Sequence, residues 1–113
     1  MILEHVAIWT DNPEVLIKFF IKYFGGVANT KYINETNGFQ SYFLTFQSGA
    51  RLEIMPMRDI PDNINDRVIK QYKGIIHLAF GVDSISEVDK KASELKDAGF
   101  PILSGPRITG DGY

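Results

Sequence analysis

Three side chains of this sequence, His5, Glu53 and His77, are of types that ligate a divalent metal. The chain has two histidines, and each opens the same phrase. His5-Val6-Ala7-Ile8 is followed after two residues by Asp11, and His77-Leu78-Ala79-Phe80 after two residues by Asp83. A repeat in register puts both imidazoles at equivalent points of two copies of one structural unit. Two imidazoles and a carboxylate form a ligand set for a transition-metal ion such as Ni, Zn, Co or Mn.

The elements that must position these groups follow from hydrophobic periodicity. Residues 2–9 alternate as a strand, with Val6 and Ile8 on one face and His5, Ala7 and Trp9 on the other. Asp11 or Asn12 caps a helix opened by Pro13, in which Val15, Leu16, Phe19, Phe20, Tyr23 and Phe24 recur at helical spacing until Gly25-Gly26 ends it. Strand-like segments at 27–33, 40–47 and 50–56 are separated by turn chemistry at Asn34 to Gly38 and at Gln47-Ser48-Gly49. In the last of them Leu52 and Ile54 share a face, and Glu53 points the other way with Arg51 and Met55. Residues 1–57 thus form a first βαβββ module, and 58–74, rich in Asp, Asn and Lys, a connector.

The second module, 75–113, repeats the opening. Ile76, Leu78 and Phe80 alternate with His77, Ala79 and Gly81, and the small residues beside His77 leave room for a ligand. Ser84-Ile85-Ser86-Glu87 has capping-box spacing ahead of a stripe of Val88, Ala92, Leu95 and Ala98 that Gly99 stops. Pro101 to Gly105 reads as a short strand and Thr109-Gly110-Asp111-Gly112 as a turn. Glu53 sits 48 positions after His5, so its repeat-mate is expected near position ~125, past Tyr113. The expectation is one α+β domain of paired βαβββ modules, with the second module truncated.

Composition bounds the partners. With 113 residues, 44% apolar and 23% charged, the chain has the make-up of one small globular domain. A net charge of −2 without a basic run argues against nucleic acid. No window approaches a membrane span, and the absence of cysteine removes thiolate ligands and disulfides and suits a reducing, cytoplasmic compartment.

Taken together, several segments resemble the vicinal oxygen chelate superfamily, which includes glyoxalase I, bleomycin-resistance proteins and extradiol dioxygenases. They are the His5-Val6-Ala7-Ile8 start, Phe19-Phe20 through Phe24-Gly25-Gly26, Arg51-Leu52-Glu53-Ile54-Met55, Ile76-His77-Leu78-Ala79-Phe80, and Ser104-Gly105-Pro106-Arg107 leading to Thr109 through Tyr113. The resemblance implies paired βαβββ modules forming a curved mixed sheet around a metal cavity, often completed by a homodimer, and places His5, Glu53 and His77 at three ligand positions of the glyoxalase-like branch. The fourth ligand of that branch, a Glu on the last strand after an Asp-Pro-Asp/Glu-Gly turn, has no counterpart in these residues.

The implied activity is that of a metal-dependent lyase or isomerase acting on a small oxygenated metabolite through an enediolate, related to lactoylglutathione lyase. Glu53 is the candidate for both ligand and base. Trp9 and Met57 stand where glyoxalase I has its glutathione-binding Arg and Asn, so the resemblance does not extend to glutathione. Trp9, Met55 and Met57 instead suggest an apolar substrate pocket, and Arg107 a group that steers an anionic substrate. Two other functions use the same fold: metal-free ligand binding of the bleomycin-resistance type, and iron-dependent ring cleavage with a two-histidine, one-carboxylate site.

Overall fold

The computed structural model describes residues 1–57, 59–65 and 70–110. It is an α+β structure in two compact units, Met1–Asn63 and Ile64–Tyr113, the division falling inside the 58–74 stretch.

The first unit runs β1 (His5–Trp9), α1 (Pro13–Phe24), β2 (Val27–Ala28), β3 (Tyr32–Asn34), β4 (Phe39–Thr45) and β5 (Arg51–Met55). The strands form a mixed sheet in the order β1-β5-β4-β2, with β3 also paired to β4. β1 and β5 are parallel, which requires a long crossover, and α1 with the β2–β4 strands supplies it. The other pairings are antiparallel.

α1 forms where the sequence predicts it. Pro13 occupies the first turn, Asn12 is the N-cap without a side-chain cap bond, and Gly25 closes the helix in the left-handed region at φ 66°. The buried face is shifted from the expected one: Ile17 is buried and Val15 is 67% exposed. The core joins Ile17 and Phe20 of α1 to Leu44, Leu52 and Ile54 of the sheet, with Val6, Ile8, Phe19 and Phe24 packed around them.

The segment expected as one strand over 27–33 is two. Ala28 faces Leu44 and Tyr32 faces Ser41, so the 27–34 side carries one residue more than β4 between these pairs, the signature of a bulge. Asn29 absorbs the irregularity: its N–H donates to the Phe43 carbonyl at 2.9 Å and its side-chain carbonyl accepts from the Phe43 N–H at 2.8 Å. The Asn34 to Gly38 turn is built as expected, with the Asn34 side chain accepting from Thr36 N–H and Gly38 at φ 69°.

In the second unit α2 spans Ile85–Asp97. Ser84 caps it by accepting from Glu87 N–H at 3.3 Å, and Glu87 reaches back to the Asp83 N–H at 2.9 Å, one residue beyond the usual partner in a capping box. Gly99 follows at φ 89°. Residues 75–82 and 101–105, expected as strands, belong to no ladder, which corrects that part of the reading. The alternation of Ile76, Leu78 and Phe80 is present, but a strand needs a hydrogen-bonded neighbour. In the first unit that neighbour is β5, 46 residues on (His5 opposite Arg51), and no such partner for 75–82 lies among the described residues. No described residue of this unit is buried. Of the expected 109–112 turn, positions 111 and 112 lie outside the described residues.

Candidate functional site

Parallel register brings His5 and Glu53 together. His5 lies opposite Arg51, Ala7 opposite Glu53 and Trp9 opposite Met55, while on the other side of β5 Phe43 faces Glu53. Because strand side chains alternate, Val6, Ile8, Leu52 and Ile54 turn to the core, and His5, Arg51, Phe43 and Glu53 share the opposite face.

On that face His5 Nε2 is 3.7 Å from Glu53 Oε2, with the two side chains 40% and 14% exposed. The other ring nitrogen, Nδ1, is 2.5 Å from Glu4 Oε2. Arg51 Nε donates to Glu4 Oε1 at 2.6 Å, and a second guanidinium nitrogen also meets that oxygen. The Arg51 backbone N–H donates to the Glu4 carbonyl at 2.9 Å, which holds Glu4 beside the end of the ladder. Phe43 lies beside both side chains, its ring centroid 5.5 Å from that of His5 in edge geometry and 4.1 Å from the Arg51 guanidinium carbon, a cation–π contact. The hydrogen bond from His5, and after it the Arg51 guanidinium, holds the Glu4 carboxyl below its ordinary value.

The donor chemistry suits a divalent metal at two coordination positions. Metal–nitrogen and metal–oxygen bonds of about 2.0–2.2 Å put neighbouring donors about 3.0–3.5 Å apart, and the His5–Glu53 separation is within a few tenths of an ångström of that. Among the described residues no group of three or more His, Cys, Asp or Glu side chains is arranged to hold a metal ion.

The remaining predicted site residues are distributed over both units. Trp9 is 41% exposed on β1, Met55 is buried, and Met57 just beyond β5 is 46% exposed. His77 is exposed in the 75–82 segment of the second unit. Arg107, also exposed in that unit, donates to the Ser104 hydroxyl. Sequence reasoning missed the part played by Glu4. The signal for it was a break in the repeat, since the position before the second histidine holds Ile76.

The first unit is thus a βαβββ module with His5 and Glu53 on the sheet face opposite its core. Residues 4–113 match the family model of the Glyoxalase/Bleomycin resistance protein/Dioxygenase superfamily, and the chain belongs to that superfamily. Two solved structures share the fold. The crystal structure of SMU.1112c superposes with a TM-score of 0.62 at 17% identity, over 85% of this chain and 75% of that one. The glyoxalase family protein from Enterococcus faecalis superposes with a TM-score of 0.61 at 24% identity, over 82% of this chain and 71% of that one. No curated protein matches the chain. No helix among the described residues is long and apolar enough to cross a membrane.

Proposed function

We propose that the chain is a metal-dependent lyase or isomerase of the glyoxalase-like branch, acting on a small oxygenated metabolite, with His5, Glu53 and His77 as its candidate ligands for a divalent metal. The observation that carries this reading is the His5 Nε2–Glu53 Oε2 approach of 3.7 Å on the face of the sheet opposite the core. When bound to these residues, such an ion would supply positive charge that stabilises negative charge developing on substrate oxygen as a proton leaves the carbon beside a carbonyl.

The chain's own side chains do the rest. Glu53 is mostly shielded from water at 14% exposure, which strengthens its electrostatic interactions, and its carboxylate is the candidate base for the substrate proton. Phe43, opposite Glu53 on the neighbouring strand, is apolar surface beside it, Trp9, Met55 and Met57 are the candidate substrate contacts, and Arg107 is the candidate for steering an anionic group. The working form is a cytoplasmic homodimer.

The test is elemental analysis of the purified protein and of His5→Ala, Glu53→Ala and His77→Ala. Near-stoichiometric Ni, Zn, Co or Mn, lost in each variant, supports the reading and justifies a screen of α-hydroxycarbonyl and thiol-adduct substrates. Iron in its place supports ring cleavage. A protein that takes up no metal after reconstitution but binds small aromatic ligands beside Trp9 supports the bleomycin-resistance type of function, which the aromatic and thioether character of this face favours.

A further inference from the structure

We propose that Glu4, anchored by Arg51, is a positioning residue that locks His5 in its Nδ1–H tautomer and so keeps the Nε2 lone pair on the side of Glu53. The argument is one of hydrogen-bond polarity. A neutral imidazole carries one N–H and one lone pair, and the bond made by one nitrogen decides the state of the other. Glu4 as a carboxylate only accepts, so the 2.5 Å contact at Nδ1 requires the proton there. In the neutral ring Nε2, 3.7 Å from Glu53 Oε2, then carries the lone pair.

Glu4 is itself held from three directions. Its Oε1 accepts from Arg51 Nε at 2.6 Å, its Oε2 meets His5, and its backbone carbonyl accepts from the Arg51 N–H. Arg51 is in turn stacked 4.1 Å over Phe43, the ring that His5 also touches. A carboxylate behind an imidazole, aimed away from the open nitrogen, is how proteins orient a ligating histidine. The role as a support for a metal ligand rests on the function proposed above; the tautomer lock does not.

The test is a set of long-range proton–nitrogen correlation spectra of the isotope-labelled, metal-free protein at about pH 9, above the ordinary imidazole range. His5 is one of only two histidines, and a His77→Gln spectrum assigns it. The expected result is an Nδ1–H ring in the wild type and a shift toward the Nε2–H form in Glu4→Ala, with Nδ1–H restored in Glu4→Gln, whose amide oxygen still accepts. Arg51→Met, which leaves Glu4 in place but unanchored, is expected to give an intermediate mixture. An Nε2–H ring in the wild type, or a Glu4→Ala spectrum identical to it, overturns the proposal. Zinc titration of the same samples separates the two claims: Glu4→Ala is expected to weaken binding by about 10–100-fold. Zinc binding absent from the wild type, with the tautomer result intact, removes the metal reading and leaves the lock standing.

Discussion

His5 Nε2 and Glu53 Oε2 stand 3.7 Å apart although 48 positions separate them in the chain, because β1 and β5 are parallel neighbours with Ala7 opposite Glu53. The pairing brings two distant polar residues together as one pair. A one-residue slip would turn every side chain of β1 to the other face and carry His5 into the core.

The register rests on the apolar face behind it. Ile54 and Leu44 are fully buried between α1 and the sheet. Ile54→Ala is expected to cost about 2–5 kcal/mol in chemical denaturation, and Leu44→Ala a similar amount. A loss below about 1 kcal/mol at Ile54 would mean the core is not the one described.

The end of α1 needs glycine for two different reasons. Gly25 has φ 66° with open space around it, so Gly25→Ala meets no neighbour and pays only for the left-handed backbone, about 1 kcal/mol. At Gly26 a Cβ would lie 3.2 Å from Phe46 Cε1, 3.3 Å from Leu44 Cδ2 and 3.4 Å from the Phe20 carbonyl oxygen. Gly26→Ala is therefore expected to shift the Phe46 and Leu44 methyl and ring resonances, and Gly25→Ala to leave them in place.

Tyr42 on β4 donates its hydroxyl to Glu14 of α1, and this bond, with burial and the Glu14 charge, pushes the phenol up to about 12. The folded value lies above the ordinary tyrosine value of about 10, so the folded chain holds the proton more tightly. The stability this contributes is complete below about pH 10 and is lost as pH rises toward 12. Phenolate absorbance is expected to show a late-titrating component that disappears in Tyr42→Phe and moves to lower pH in Glu14→Gln. Unchanged titration in Glu14→Gln would contradict the assignment.

In the second unit Ser84 is the side chain that satisfies the Glu87 N–H at the start of α2. Ser84→Ala is expected to cost about 1 kcal/mol of helix stability, read as faster amide exchange over residues 85–88. Ser84→Asp, which keeps an acceptor and suits the helix dipole, is expected to restore protection.

Most of the first unit was legible because its signals are local. Alternation placed His5 and Glu53 opposite Val6, Ile8, Leu52 and Ile54, and Pro13 and Gly25 marked the ends of α1. Other features depend on contacts between distant segments. Ile17 rather than Val15 is buried because the sheet beneath α1 selects which flank of an apolar stripe is covered. The bulge at Asn29 reflects the register of β4 on either side of it, which no pattern within 27–33 encodes. The 75–82 alternation is as strong as that of 5–9 but lacks a ladder partner among the described residues. Glu4 shows the same limit at the site, since its part depends on Arg51 lying across the strand pair.

The most direct test of the central claim is a double-mutant cycle on divalent-metal affinity, measured by zinc or nickel titration of the wild type, His5→Ala, Glu53→Ala and the double variant. If His5 and Glu53 hold the same ion, each single change removes most of the affinity and the double change adds little more, because the two act as a unit. Losses that add independently, or a wild-type affinity that either variant retains, would contradict the account.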